Sequence, residues 1–394
     1  MSLAILYLLG CLESVGTGIL QRGLYFYTHE RLGFGQMANL VIALAYGLTY
    51  VAGAFASHPA ANKWGERRLL SATLIGLFAL HLALTLFPAP WLLCVGFVAS
   101  AGLRGLKWPL FETYMSAGRT PTEILPALAN YNVSWATAMP VAVGIAGPVI
   151  SSPWPFLLFA LPALVNVISI ALVRSFPERP SHLAEAHPER PAALLLARYR
   201  DLMVSARWSL LLAYGLLFLL APLMPAIFQR LGVDVELATP YAAVFDLVRA
   251  LSFILLGRAG ALWRGRASPL AVSAFLLPLG FLMVLIAPSL GLVLLGELLF
   301  GAASGFVYTA SLYYALVVKN ASVDAGGAHE GLIGLGLGLG PLAGIIGYAL
   351  AERNLVGTGG ALGGAQGVLI GILPLICACL AGSWWPMPRL WGKA

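Results

Sequence analysis

The chain has 394 residues, 60% of them hydrophobic and 10% charged, with a mean hydropathy of +0.87 and a formal net charge of +7. A soluble domain carries roughly 25% charged residues, so a water-soluble enzyme or binding module is excluded and a polytopic membrane protein is expected. The basic excess fits connections that face an anionic leaflet, and nucleic acid is not an expected partner.

A bilayer asks for about 20 mostly apolar residues per spanning helix. That ruler predicts twelve spans, over residues 4–28, 37–57, 69–87, 91–116, 127–150, 154–173, 208–230, 240–261, 269–287, 291–318, 330–351 and 365–385. The first lacks the basic start and small-residue cleavage site of a signal peptide and is broken by Glu13, so it is expected to be retained as span 1, with Gln21 and Arg22 as polar lining. The connection after span 2 reads "NKWGERR" and carries Lys63, Arg67 and Arg68. Span 4 contains "GLRGLKWPLFE", with Arg104, Lys107 and Glu112 inside an otherwise apolar run, and span 5 contains Asn132 and Trp135.

Residues 174–207 form a polar connection with Pro177, Pro180, Pro188 and Pro191. Its second part, "AALLLARYRDLMVSARW", alternates apolar and basic groups at helical spacing and is expected to lie along the inner interface. Span 8 holds Asp246 and Arg249 three residues apart, close enough to pair along one helix. In span 10, Glu297, Gly301, Ser304, Tyr308 and Ser311 recur at steps of four and three, on one helical face. Span 11 begins near His329 and Glu330, either a solvated helix start or a titrating pair, and carries seven glycines between Gly331 and Gly347 that allow close helix approach. Cys11, Cys94, Cys377 and Cys379 lie in apolar runs without metal-ligand spacing and read as core residues.

An inside N-terminus gives inner connections with three basic residues after span 2, one after span 4, six after span 6, three after span 8, one after span 10 and two at the C-terminus. The outer connections hold only Arg31 and Arg353, so both termini are expected to be cytoplasmic. The chain is also a duplication. "RLGF" from Arg31 recurs as "RLGV" from Arg230, an offset of 199, and Trp64 recurs as Trp263 at the same offset. "GLKWPLFETY" from Gly105 lies over "GFVYTASLYY" from Gly305 at 200, and Gly147-Pro148 over Gly340-Pro341 at 193. Six spans followed by six in the same orientation make two parallel repeats, 1–173 and 208–394, joined by the linker 174–207.

Twelve spans in two such halves, a cytoplasmic central loop and basic loops after spans 2 and 8 resemble the major facilitator superfamily over essentially the whole chain. Its loop 2–3 signature is matched at Lys63, Gly65, Arg67 and Arg68, with Asn62 where the family has an acid. The span 5 signature of its antiporters is matched at Gly147-Pro148, with Ser151 and Ser152 in place of the closing glycines; the span 11 copy has Gly336, Gly340-Pro341 and Gly344. The resemblance implies an all-α membrane protein of two six-helix bundles, a multi-pass protein of the cytoplasmic membrane and a monomer without cofactor or metal. It also implies that spans 1, 4, 7 and 10 line a central cavity.

At about 100° per residue, Arg104, Lys107 and Glu112 fall within an arc of roughly 140°. A lipid-facing Arg or Lys at mid-span costs at least about 2.5 kcal/mol, so these side chains are expected to face the cavity. Glu13 and Lys107 lie at similar depth, about 13 and 14 Å from the inner ends of their helices, and are expected to pair. Trp108, one turn from Arg104, offers that guanidinium a stacking surface.

The expected function is a secondary transporter that moves a small organic solute, with an anionic group matched to the cations of span 4, by proton-coupled alternating access leaning to efflux. The expected substrate-binding residues are Arg104, Lys107, Trp108, Asn132, Trp135, Ser304, Tyr308 and Ser311. Glu13 and Glu297 are the expected proton carriers. Arg22, Lys63, Arg67, Arg68, Glu112, Asp246, Arg249, His329 and Glu330 are the expected gating residues. An intramembrane enzyme lacks support, since no nucleophile–base pair or metal-ligand spacing occurs in the spans and His81 stands alone. A transporter-fold receptor or scaffold is the alternative, favoured by Asn62 and opposed by the charges in both halves.

Overall fold

The computed structural model describes residues 3–180, 192–319, 323–353 and 365–391. Among these the regular structure is entirely helical. A backbone in hydrocarbon must satisfy its own donors and acceptors, which leaves helices as the economical solution for so apolar a chain. Ten helical stretches are long and apolar enough to cross a membrane. Span 6, Leu157–Val173, is apolar but shorter, and span 4, Pro90–Ser116, is long but carries Arg104, Lys107 and Glu112. All twelve expected spans are present.

The outer surface is what lipid requires: Val41, Leu48, Phe55, Val95, Val141, Leu164, Leu255 and Phe275 are exposed. Exposed tryptophans mark both ends, Trp91 and Trp154 at one and Trp64, Trp208, Trp385 and Trp391 at the other, as expected of interfacial belts. The second end also carries Lys63, Arg67, Arg68, Arg264 and Arg266 and is called the basic end below.

The duplication is visible in the turns. Gly33 after span 1 and Gly232 after span 7 have φ of 66° and 69°, and Gly65 and Gly265 have φ of 83° and 72°. These left-handed conformations suit glycine, and they recur at offsets of 199 and 200. Packing repeats likewise. A Cβ on Gly105 in span 4 would lie 2.8 Å from Ala54 N in span 2, and one on Gly305 in span 10 would lie 2.9 Å from Ser252 Cβ in span 8.

Four spans are interrupted at mid-course. Span 1 breaks at Arg22, between Leu3–Gln21 and Gly23–Leu32, and span 7 between Leu220 and Met224. Span 5 breaks at Thr137 and span 8 at Ala243. Prolines account for two of these: Pro140 opens the second half of span 5, where a missing N–H is harmless, and Pro222 disfavours helix at Ala221. Span 7 departs from expectation at its start. Residues 193–207, expected as a separate interfacial helix, are continuous with it in one helix, Ala193–Leu220. The reason lies in spacing: Tyr199, Leu202, Met203, Ala206 and Leu210 form a buried stripe that runs straight into the span. Tyr199 packs on Tyr314 at 5.1 Å, and Arg198 Nε donates to Gly265 O at 2.8 Å. The middle of the 174–207 linker, 181–191, lies outside the described residues.

Candidate functional site: a cavity between the two halves

Between the halves lies a cavity lined from eight spans. Span 1 contributes Ser14, Thr17, Gln21 and Arg22, at helical spacings that keep them on one face. Span 2 adds Tyr46 and Tyr50, span 4 Trp108, and span 5 Tyr131, Trp135 and Met139, again four residues apart. The other half supplies Tyr214, Leu217 and Phe218 from span 7, Asp246 and Arg249 from span 8, Tyr308 from span 10, and Glu330 and Ile333 from span 11. None of these lining residues comes from spans 3, 6, 9 or 12. The implied wall of spans 1, 4, 7 and 10 is present, completed by spans 2, 5, 8 and 11.

Charge inside the cavity is organised around Asp246. One oxygen accepts from Arg249 Nη2 at 2.8 Å, the pairing expected within span 8. The other is in an ion pair with Arg22 of span 1, whose Nη2 also donates to Ala242 O at 3.0 Å. This bond ties the two halves together across the cavity wall. Arg249 lies over the Trp135 ring at 4.9 Å, also from the opposite half, and its Nε has no hydrogen-bond partner. Trp135 meets Tyr308 at 5.3 Å, and Tyr308 meets the His329 ring at 4.9 Å. The site therefore combines aromatic faces with two guanidinium groups that share one carboxylate.

A second polar cluster sits inside the first half. Lys107 Nζ donates to Glu13 Oε2 at 2.6 Å, as their equal depth predicts. Asn166 Nδ2 donates to Glu13 Oε1 at 3.1 Å, which leaves Asn166 Oδ1 to accept from His81 Nδ1 at 2.8 Å. Every member is buried. His81 thus does not stand alone, because span 6 brings Asn166 to it.

The expectation that Arg104 and Lys107 face the cavity is corrected. Both are 1% exposed and neither lines it. Glu13 satisfies Lys107, while Arg104 donates to the Tyr46 hydroxyl at 3.2 Å and sits one layer behind that ring. The cation over Trp108 is Lys107, at 4.6 Å, where Arg104 was expected. The desolvation cost is offset inside the bundle, by the Glu13 ion pair for Lys107 and by the Tyr46 hydroxyl for Arg104, an outcome that a helical-wheel argument cannot separate from a wet cavity.

Of the other expected binding residues, Trp108, Trp135 and Tyr308 line the cavity. Asn132 is behind it, its Oδ1 accepting from Trp135 Nε1 at 3.2 Å. Ser311 meets His329 Nδ1 at 3.3 Å, and Ser304 is buried in span 10. Glu297 borders a smaller cleft on the far side of Arg22, with one oxygen lacking a hydrogen-bond partner. At the basic end Arg67 and Arg68 both pair with Glu178, at 2.7 and 2.9 Å, so a residue after span 6 supplies an acid to this loop; Lys63 is exposed. Glu112 of span 4 converges with His329 and Glu330 of span 11, one ligating atom of each lying within 4.8 Å of the others.

Sequence reasoning missed the tyrosine wall of Tyr46, Tyr50, Tyr131 and Tyr214. The repeat carried a signal for part of it. Tyr50 lies 199 positions before Arg249, so the register that flagged span 8 also points to span 2.

The chain matches the sequence profile of the Major Facilitator Superfamily over residues 6–345. No curated protein matches it by sequence. Its fold is similar to that of the human organic anion transporter MFSD10 (TETRAN), with a TM-score of 0.69 at 14% identity over 97% of this chain and 98% of that one. The nucleoside transporter NupG gives 0.65 at 15% identity over 98% of this chain and 99% of that one. A variant of the E. coli fucose:proton symporter FucP gives 0.64 at 12% identity over 98% of each chain. A duplicated bundle of twelve spans around a cavity that both halves line, together with the profile match over most of its length, places this chain in the major facilitator superfamily.

Proposed function

We propose that this multi-pass membrane protein is a secondary active transporter of the cytoplasmic membrane, with both termini inside. It carries a small organic solute by alternating access, coupled to protons and leaning to export. The observation that carries the reading is the cavity itself, set between two halves and lined by charged and aromatic residues of both. A site shared in this way changes its accessibility when the halves rock. Structural relatives named for an organic anion, nucleosides or fucose with protons support a small-molecule cargo.

The lining favours a planar, partly apolar solute with a carboxylate or phosphate. Tyrosine and tryptophan faces take the ring, and Arg249, whose Nε lacks a protein partner, takes the anion. In this reading Trp108, Trp135 and Tyr308 remain substrate contacts, and Arg104 and Lys107 become supports for the wall. Of the expected proton carriers, Glu13 is held as the partner of Lys107, and Glu297 stands off the main cavity.

A thermal-shift screen of the purified protein with aromatic carboxylates and nucleotides tests the assignment. A stabilising ligand should lose at least about tenfold in affinity with Arg249→Ala, since a charge-assisted contact contributes about 1.5–3 kcal/mol. Indifference to Arg249→Ala and Trp135→Ala would rule out this cavity as the binding site. Uptake of that ligand into proteoliposomes, driven by a pH gradient, then separates a transporter from a transporter-fold receptor, which would bind without flux.

A further inference from the structure

Glu112 and Glu330 come from opposite halves and meet between the central cavity and the basic end. Glu112 is 0% exposed and neither of its oxygens meets a donor. Glu330, which lines the cavity, accepts a hydrogen bond from the Tyr50 hydroxyl. His329 beside them is also 0% exposed, and its Nε2 has no partner. Around the pair stand Tyr46 and Tyr50 from span 2, Tyr131 from span 5, Tyr214 from span 7 and Tyr308 from span 10, with Arg207 of span 7 towards His329. Among the described residues no Lys or Arg forms an ion pair with either carboxyl group.

Two adjacent carboxylates without a counter-ion cannot both stay ionised in such surroundings, because each would leave a buried charge uncompensated beside a like charge. One proton removes both difficulties. The protonated group donates to its neighbour, and the acceptor gains the donor it lacks. The contact is also tight: a Cβ on Gly326, in the first turns of span 11, would lie 2.7 Å from Glu112 Oε2. The pair therefore exists only while spans 4 and 11 are closed on each other.

We propose that Glu112 and Glu330 hold one exchangeable proton as an acid–carboxylate pair, and that its loss drives spans 4 and 11 apart and opens the cavity at the basic end. The proposal rests on the alternating-access reading and names the acids that couple it. The proton arrives from cavity water at Glu330, is shared with Glu112 while the halves are closed, and leaves to water at the basic end, giving two carboxylates that repel until solvated. Cargo and proton thereby compete for the closed state, since Glu330 borders both.

Spin labels on Trp64→Cys and Arg266→Cys, in a chain whose four native cysteines are replaced, measure opening at the basic end in lipid nanodiscs. The distance should lengthen as pH rises in the otherwise unaltered chain. Glu112→Gln and Glu330→Gln, which mimic the protonated group, should each stay closed across the same range, and a carboxylic acid infrared band of the unaltered chain should be lost in Glu330→Gln. A pH response that survives both substitutions overturns the proposal, as does stabilisation by Zn²⁺ or Mn²⁺ that Glu330→Gln abolishes, which would make the cluster a metal site. If the labels report opening with cargo but none with pH, the proton pair is wrong and alternating access stands. If the distance never changes, both fall.

Discussion

Buried charge is the residue-scale problem this sequence solves twice, by different means. In the first half Lys107 and Glu13 neutralise each other within a bundle, supported by Asn166 and His81. At the cavity Arg22, Asp246 and Arg249 form a chain with one carboxylate for two guanidinium groups, the excess cation that the proposed anionic cargo would meet. The two arrangements predict opposite mutational behaviour. Lys107→Ala should destabilise the protein by about 3–5 kcal/mol, because Glu13 is left buried and unpaired, and Lys107→Leu with Glu13→Leu should recover most of it. Arg249→Ala should change ligand affinity more than melting temperature. Thermal denaturation in detergent, with and without ligand, checks both; a Lys107→Ala protein that is fully stable but blind to ligand would reverse the assignment.

These residues also mark where the sequence was legible. That charges at mid-span must be paired or wet followed from their positions inside apolar runs, and the pairs Glu13–Lys107 and Asp246–Arg249 followed from depth and spacing. Which charges border water did not follow. A helical wheel fixes the angle between Arg104 and Lys107 but not the direction in which span 4 is rotated, and that depends on Glu13, Tyr46 and Asn166 from other helices. The neighbours Glu112 and Glu330 are 218 positions apart and meet only through folding.

At the scale of elements, glycine sets how closely the helices approach. Gly105 of span 4 sits against the span 2 backbone, whereas Gly291 at the start of span 10 has nothing within 4 Å of a built Cβ. Gly105→Val should cost about 1–3 kcal/mol through overpacking or push the helices apart. Gly291→Ala should be neutral or stabilising by about 0.5–1 kcal/mol, as expected of an open helical position. Melting temperatures of the two variants check the contrast, and equal effects would contradict the packing described. Most element positions could be read from hydrophobic run length. The start of span 7 could not, because basic residues in 193–207 resembled a membrane-surface pattern while a buried stripe beneath them continued the span.

For the whole molecule, the repeat supplies the mechanical argument. Matching turns at Gly33 and Gly232 and close packing at Gly105 and Gly305 repeat the same local geometry in the two halves. The contacts between them differ by level. Spans 5 and 8 touch near the basic end, where a Cβ on Gly257 would lie 2.6 Å from Ala129 Cβ, and nearer the opposite end, where Thr239 Oγ1 accepts from Gly147 N at 2.7 Å. The duplication and the superfamily were readable in the sequence because an offset of 199 is preserved in landmarks such as Trp64 and Trp263. The cavity contents were less so, since the copies have diverged where they face each other: Tyr50 in one half stands where the other has Arg249.

The central claim is that solute crosses because the two halves close alternately at each end of one cavity. Cysteine pairs across spans 5 and 8, in a chain without native cysteines, test it at both ends. Gly144→Cys with Ala243→Cys joins positions 3.9 Å apart, close to the usual Cβ separation of a disulfide, and Ala129→Cys with Gly257→Cys joins the basic end, where the 2.6 Å approach of the two Cβ positions has to relax by about 1 Å to reach that separation. Measured as flux into proteoliposomes, oxidation of either pair should abolish transport and reduction should restore it. Full transport with either disulfide completely formed would contradict alternating access.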